Sequence, residues 1–432
     1  MRRTVKQFNI SNVELFKTQL LKWSNQFQEV VWLDSNQHKN ANSQYEAILA
    51  LDALTSIKTD YTAAFSDLKE YQIATKDWIF GYLTYDLKNA VEDLSSKNFD
   101  GLALPDLYFF QPKKLFVING SVVEFHYLAM VDDELEQDYK EIQAIEALEK
   151  LESETASLKI SLRMQKDSYF EHFQKIIDHI HRGDIYEVNF CQEFYAEDSS
   201  IDPLKTFSNL NNISKAPFAC YFKYDQYHLL CASPERFMQR RGNIVISQPI
   251  KGTSKRSKDK VEDAKLLEHL KNDPKERSEN VMIVDLVRND LSKIAEKGSV
   301  EVEELCKVYS FLQVHQMVST ISAQVPTQTN SVDAIKSIFP MGSMTGAPKY
   351  TAMKIIEQQE TFKRGLYSGA VGYFDPLGNF DFNVIIRSII YNSKKRYVSF
   401  SVGSAITAKS IPENEYEECL IKAKAMRDVL EN

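Results

Sequence analysis

The sequence predicts an α+β fold in which largely antiparallel β-sheets carry helices packed on their outer faces. Three observations support that expectation. Strand-like runs rich in Val, Ile, Phe and Tyr come in hairpin pairs, most clearly 115–118 and 122–128 about Asn119-Gly120, a dipeptide suited to a tight hairpin turn. Helical periodicity appears between such pairs rather than after every strand, which disfavours a doubly wound parallel sheet. The 432 residues include 25 Phe and 21 Tyr, enough large rings to fill an extensive core.

Residues 1–130 form a first, strand-rich region. Val30-Val31-Trp32-Leu33 is a short apolar strand that ends at the turn-forming Asp34-Ser35-Asn36. Segments 47–54 and 62–71 carry mixed helical and strand signals, and 78–86 is aromatic-rich, with Gly81 where a neighbouring backbone can approach. Residues 131–160 contain DDELEQDYKEIQAIEALEKLESET at 132–155, a highly charged helical stretch that reads as a solvated linker helix and a boundary.

Residues 161–432 form the larger region. Tyr169, Phe170, Phe173, Ile176, Ile177 and Ile180 recur on one helical face, the helix stops at Gly183, and 185–190 alternates as a strand. Segments 217–224 and 228–232 read as a hairpin that delivers Ser233-Pro234-Glu235-Arg236. A short β-branched strand then stops at Pro249 and sets Lys251 beside Gly252. A helix over 259–271 closes at Asp273-Pro274, and a second runs from Glu276 to Asp290. FPMGSMTGAPK at 339–349 is a glycine- and hydroxyl-rich turn opening a helix to about Glu360. Strands follow at 365–374, 382–391 and 396–402. Ser410 as N-cap, Pro412 in the first turn and Glu413 as capping-box partner signal the last helix.

The formal net charge of −8 is spread along the chain, which argues against a dedicated nucleic-acid binder. Five cysteines without a CxxC pair point to reduced thiols rather than a disulfide framework or zinc site. No stretch of eighteen apolar residues and no signal-peptide pattern occurs, so a cytoplasmic protein is expected. The phosphate-binding GxxxxGK[ST], the dinucleotide GxGxxG and His-rich metal motifs are missing, which removes the common nucleotide and zinc readings.

Several groups remain that can carry chemistry. Glu415, Glu418 and Lys422 stand at i, i+3 and i+7 on one helical face. That spacing suits an exposed ion-pair ladder and equally a pair of carboxylates offered to a hard cation. Glu279 opens an earlier helix and adds another oxygen ligand, while Asp285, Arg288 and Asp290 fit caps and buried pairs. Gly403-Ser404-Ala405 can offer backbone N–H groups to a carboxylate. Arg387, charged within an apolar run, suits a salt bridge or a bidentate carboxylate partner. His315 lies in an apolar segment and reads first as a satisfied core residue; Lys251 can face solvent or a pocket.

Together these segments resemble the chorismate-utilising enzymes, the family of anthranilate synthase large component, aminodeoxychorismate synthase component I, isochorismate synthase and salicylate synthase. The resemblance is carried by SPERF at 233–237, PIKGT at 249–253, ENVMIVDLVRND at 279–290, FPMGSMTGAPK at 339–349, RGLYSGAVGYFDPLGNFDF at 364–382, Ile386-Arg387 and EYEECLIKAKAM at 415–426. It implies the anthranilate synthase component I-like fold. Members that activate water at chorismate C2 carry a lysine where this chain has Glu187, which points away from isochorismate and salicylate formation. Lys251 in PIKGT, where anthranilate synthases usually carry alanine, resembles the aminodeoxychorismate side of the family, as does GSMTG at 342–346.

The reaction implied is a Mg2+-dependent amination of chorismate at C4, on the route to 4-aminobenzoate and folate. By resemblance, Glu279 and Glu418 hold the cation with Glu415 nearby, and Arg387, Tyr367 and the backbone about Gly403 and Ser404 hold a carboxylate. Lys251, as free amine, attacks C2 while Glu235 protonates the departing C4 hydroxyl; this needs a lysine pKa below its usual value of about 10, towards which Mg2+ and Lys422 push. His315 and Thr345 help to place the substrate. Ammonia comes from a separate glutamine amidotransferase subunit, because no Gly-x-Cys-x-Gly motif is appended here, and a pyridoxal-phosphate lyase acts afterwards. The family leaves two other readings: anthranilate synthase component I, aminating at C2, and an inactive regulatory or scaffold homologue. Leu33-Asp34-Ser35 is the nearest match to the Leu-Glu-Ser-like stretch marking a tryptophan pocket in relatives, which implies a vestigial or structural amino-acid site.

Overall fold

Alternate residues of the central strands enter different cores, and this period of two makes the molecule a pair of stacked sheets. In Val30–Asp34, Val30 and Trp32 face an outer cluster while Val31 faces the inner one. In Phe218–Tyr224, Ala219 and Tyr221 point outward, whereas Cys220, Phe222 and Tyr224 point inward. Ala370 and Phe374 join the outer cluster of the second sheet, and Val371 and Tyr373, between them, join the same inner core. The computed structural model describes residues 2–38, 42–146, 158–311 and 314–431.

The first sheet runs in hydrogen-bonding order through Arg3–Asn9, Val122–Leu128, Leu107–Asn119, Ala47–Thr59, Val30–Asp34, Phe218–Tyr224, Tyr227–Ser233, Ser388–Asn392, Tyr397–Thr407 and Glu187–Ala196. The second branches from Leu107–Asn119 through Ile79–Leu83, Ala370–Phe374, Phe380–Val384, Arg236–Arg241, Ile244–Gln248 and Val314–Gln324. Ile250–Lys255 and Glu301–Ser310 both pair with Val314–Gln324. Every one of these pairings is antiparallel, as the sequence predicts. Leu107–Asn119 belongs to both sheets because residues 107–110 pair with Ile79–Leu83 and residues 114–119 with Val122–Leu128. Strands from before and after residue 160 pair with one another in each sheet.

Helices cover the outer faces. Val13–Ser24, Leu135–Ala144, Pro203–Ser214 and Pro412–Glu431 press Phe16, Leu20, Ile142, Phe207 and Met426 onto the first sheet. Ala64–Thr75, Pro274–Ser292 and Ser331–Ile338 press Phe65, Ile283, Val287 and Ile335 onto the second. Each such side chain, fully buried, contributes roughly 1.5–3 kcal/mol relative to exposure. Among the described residues no helix is long and apolar enough to cross a membrane. All five cysteines are buried free thiols.

Tertiary contacts redraw several sequence expectations. The ambiguous segments resolve as the strand Ala47–Thr59 and the helix Ala64–Thr75. The charged helix is packed as well as solvated: Leu135 and Ile142 are buried, and Asp138 accepts from Lys114 Nζ at 2.5 Å and Tyr127 OH at 2.7 Å. Residues 147–157 of that stretch lie outside the described residues. Ser410 does not cap the last helix; its Oγ accepts from Thr407 N at 3.1 Å, and the helix starts at Pro412. The run 382–391 is two strands, Phe380–Val384 in the second sheet and Ser388–Asn392 in the first. Arg387 stands in the crossing between them with φ +52°, a left-handed conformation that breaks the run. This crossing, the first residue of Glu187–Ala196, the strand Ile250–Lys255 and two helix starts enclose the candidate site.

Candidate active site

Lys251 lies in a local irregularity. The register of Ile250–Lys255 against Val314–Gln324 shifts between Ile250 and Thr253, and such a bulge re-aims a side chain. Gly252 has φ +95°, and a Cβ there would meet Glu276 Oε2 at 3.1 Å. Asn280, from the helix Pro274–Ser292, donates its Nδ2 to Lys251 O and to Met317 O, both at 3.3 Å, and so pins the strand to the helix. Lys251 Nζ donates to Glu187 Oε1 at 2.9 Å. Glu187 is only 2% exposed, and its Oε2 is buried without a partner among the described residues.

The surrounding charges reverse one expectation about Lys251. Burial acts to lower its pKa, but Glu187, Glu279 and Glu418 together outweigh burial and hold the ammonium above its ordinary value. Among the described residues the side chain is therefore a charged amine, not a free nucleophile prepared in advance. Lys422 is turned elsewhere, donating to Gly403 O at 2.9 Å and pairing with Glu418 at 2.6 Å. Glu235 is different. It is 4% exposed, its Oε1 accepts from Ser343 Oγ at 2.6 Å, and burial pushes its carboxyl up to about 7 against the pull of Ser343 and Lys251. A carboxyl so placed keeps a proton available near neutral pH.

The carboxylates come from two helices. Burial pushes Glu279 up to about 7; Lys251 and Lys275 oppose this, and Glu187 and Glu276 reinforce it. Lys275, which sequence reasoning missed, stands 3.8 Å from Glu279 Oε1 and 3.8 Å from the 3%-exposed Glu415. Among the described residues no three Asp, Glu, His or Cys side chains are gathered as a metal-holding cluster. Glu279 Oε1 is nonetheless buried and accepts no hydrogen bond, with Lys275 at ion-pair distance only. Oxygen donors in excess of local positive charge, one of them without a hydrogen bond, suit a hard cation that keeps waters and takes only one or two carboxylates.

A cavity of about 370 Å³ is lined by Ala232, Pro234, Val314, Gln316, Arg387 and Ile421 among others, and by none of Lys251, Glu187, Glu235, Glu279, Glu415 and Glu418. Burial holds Arg387 below its ordinary value, with Tyr367 and Glu418 acting against that shift. Its guanidinium has no hydrogen bond or ion pair with any described residue, so its five donors remain available to an anion. His315 does not face this cavity. Its ring is fully buried and bonded to Ser310 Oγ at 2.8 Å and Asp263 at 3.0 Å, so it is a structural core histidine. Gln316, one residue on and therefore on the opposite face, lines the cavity with its Oε1 buried and unpartnered. The strand's alternation, counted from Met317 and Ile321 in the core, was the signal that could have found it.

The remaining candidates divide by face. Tyr367 is buried, with its OH receiving the Cys191 thiol at 3.8 Å. Gly403 lies against Cys191 and Asn189, where a Cβ would come within 2.5 Å of Cys191 Sγ. Ser404 points to the other side of the sheet, beside Tyr169 and Cys419. Thr345 directs its hydroxyl to Met341 O at 3.3 Å and Gly342 O at 3.2 Å, which ties the glycine-rich turn to itself. Asp285 pairs with Arg288 at the surface, and Asp290 holds the half-buried Lys349 at 2.6 Å. Leu33-Asp34-Ser35 lines a separate cleft with Tyr45, Arg236 and Asp381. There Asp34 takes Lys17 at 3.2 Å and Arg236 takes Asp381 at 2.9 Å, so these charges satisfy one another.

Known proteins give this geometry a context. The sequence matches the chorismate binding enzyme family over residues 18–428. It is 35% identical over 364 residues to aminodeoxychorismate synthase component 1 of Klebsiella aerogenes, covering 82% of this chain and 77% of that protein. It is 33% identical over 359 residues to anthranilate synthase component 1 of Thermus thermophilus, covering 82% and 77%. A rice chloroplastic protein named as a probable aminodeoxychorismate synthase is 34% identical over 387 residues, which is 81% of this chain but 43% of the rice protein's length. Among solved structures, anthranilate synthase component I from Streptococcus pneumoniae superposes with a TM-score of 0.78 at 26% identity, covering 90% of this chain and 94% of that one. The menaquinone-specific isochorismate synthase from Escherichia coli shares the fold, with a TM-score of 0.76 at 17% identity over 99% and 95% of the two chains. The chain belongs to the chorismate binding enzyme family, among the relatives that include aminodeoxychorismate and anthranilate synthase component I.

Proposed function

We propose that the protein is the chorismate-aminating component of an aminodeoxychorismate synthase, replacing the C4 hydroxyl of chorismate with an amino group from ammonia to give 4-amino-4-deoxychorismate. The single observation that carries this reading is the half-buried Lys251, aimed by its bulge at Glu187 and electrostatically coupled to Glu235, whose carboxyl burial pushes up to about 7. A nucleophilic amine and a carboxylic acid in one water-poor site are what displacement of a hydroxyl requires.

The steps follow from the residues. Arg387 binds a substrate carboxylate with its free donors, and Gln316 offers a hydrogen bond from the same cavity wall. Lys251 passes a proton to Glu187 Oε1, its hydrogen-bond partner at 2.9 Å, and the freed amine attacks C2. The ring double bonds shift, the C4–O bond breaks, and Glu235 protonates the departing oxygen to release water. Ammonia then adds at C4 and the C2–Nζ bond breaks. Lys251 recovers its proton from Glu187, and the new ammonium at C4 returns one to Glu235, so the site is restored. Glu279 and Glu418 would hold Mg2+, with Glu415 behind them; when bound, the ion supplies charge neutralisation and an anchor for a substrate carboxylate.

Ammonia delivery by a glutamine amidotransferase subunit and a cytoplasmic setting, in keeping with five free thiols, belong to the same proposal. Relatives bearing both synthase names match at comparable identity, which keeps amination at C2 as the second reading. Incubating the protein with chorismate, Mg2+ and an ammonium salt, then adding the lyase, should yield 4-aminobenzoate. Direct release of fluorescent anthranilate would overturn the C4 assignment.

A further inference from the structure

Among the described residues three lysines stand by the carboxylates of the site, and two of them are hydrogen-bonded in place. Lys251 donates to Glu187 at 2.9 Å; Lys422 pairs with Glu418 at 2.6 Å and donates to Gly403 O at 2.9 Å. The third, Lys275, makes no hydrogen bond with any described residue. Its Nζ stands 3.8 Å from Glu279 Oε1 and 3.8 Å from Glu415 Oε1, at ion-pair distance from both. Lys275 and Glu279 are one turn apart in Pro274–Ser292, whereas Glu415 belongs to Pro412–Glu431, so this ammonium joins two helices. Glu415 is buried and Glu279 half-buried, but the Lys275 side chain is 51% exposed. A lysine in the first turn of a helix also works against the helix dipole, so its place here is set by the carboxylates rather than by the helix.

We infer that Lys275 is a tethered counter-ion that competes with the divalent cation for Glu279 and Glu415. This rests on the Mg2+ reading above. Between the two carboxylates, its single charge relieves their repulsion and holds the two helices together at the site. Letting go is easy, because the ammonium gives up no hydrogen bond and its exposed end passes into water. Its withdrawal removes one positive charge and frees oxygens of the kind a hard cation takes, one or two carboxylates with waters retained. Lys251 and Lys422 are less suited to this exchange, since each would first break a hydrogen bond of 2.9 Å. Lys275 thus sets how much free Mg2+ is needed to load the site.

The test is Mg2+ binding to the full chain by titration calorimetry. Wild type is compared with Lys275→Met, which keeps the length and loses the charge, and with Lys275→Arg, which keeps the charge. The dissociation constant for Mg2+ should fall about fivefold or more in Lys275→Met and stay within about twofold in Lys275→Arg. Thermal unfolding supplies a second readout. In a chelator Lys275→Met should melt below wild type, because the facing carboxylates repel, and saturating Mg2+ should erase the difference. Equal or weaker Mg2+ binding by Lys275→Met, with measurable binding by wild type, would overturn this inference and leave the cation site standing. Wild-type protein that takes up no Mg2+, with chorismate or without it, would overturn both.

Discussion

Two buried charge clusters flank the strand Glu187–Ala196, and they differ in one respect that separates structure from chemistry. Behind the strand, Glu360 and Arg364 form an ion pair at 2.6 Å. Both Glu360 oxygens are engaged, by Arg364 Nε, Arg364 Nη2 and Cys191 N, and Arg364 also donates to Met344 O and Asn189 O at 2.7 Å each. At the strand's start, Glu187 is buried and Lys251 and Glu279 are half-buried, yet Glu187 Oε2 and Glu279 Oε1 accept no hydrogen bond among the described residues. Full or partial burial is common to both. Unmet hydrogen-bonding capacity belongs to one, and it marks where a ligand completes the structure.

That contrast can be broken by mutation. Lys251→Ala should lower amination by about 10⁴-fold or more, with chorismate binding, followed by calorimetry, largely kept. A variant of near-full activity would exclude an obligatory lysine nucleophile. Arg364→Ala should instead destabilise the fold by about 3–5 kcal/mol in denaturant unfolding, because Glu360 is left charged and buried. Equal loss of stability in the two variants would erase the distinction drawn between the clusters.

Glu235 sharpens it. Glu235→Gln should reduce kcat by roughly 10²-fold or more through loss of the acid. Because burial raises the folded-state carboxyl to about 7, the wild-type rate should fall as pH rises through that value, and the variant should lack this limb. The same shift sets a stability trend. A carboxyl raised on folding contributes stability that is present below its unfolded pKa and lost as pH rises through the folded value. Thermal unfolding should therefore show Glu235→Gln more stable than wild type at pH 8 and closer to it at pH 4.

Arg387→Ala and Gln316→Ala make the smallest expected change, raising chorismate KM by about 10-fold or more for the arginine and less for the glutamine. His315→Asn, by contrast, should act through stability, since both ring nitrogens are bonded within the core. A large KM effect at His315 with unchanged stability would reverse the facing assigned to that strand.

Much of the fold was legible because strand alternation and turn chemistry are local properties. The hairpin about Asn119-Gly120, the helix capped by Asp259 and the glycine-rich turn before Lys349 all follow from neighbours in the chain. Local pattern failed where distant groups decide. The crossing at Arg387 is hidden in an unbroken apolar run, because what divides it is membership of two different sheets. The sequence reads His315 first as a satisfied core residue, but nothing local marks the glutamine after it, and register places Gln316 at the cavity.

The residues 231–253 show the same division at the site itself. The resemblance of the sequence motifs to those of the chorismate-utilising enzymes marked Glu235 and Lys251 as the acid and the amine of one site. Only the tertiary structure decided that Lys251 is held as an ammonium and that the Glu235 carboxyl is pushed up to about 7. Lys251 depends on carboxylates brought from residues 187, 279 and 418, and Glu235 on burial set against Ser343 and Lys251; electrostatic energy follows distance in space rather than separation along the chain.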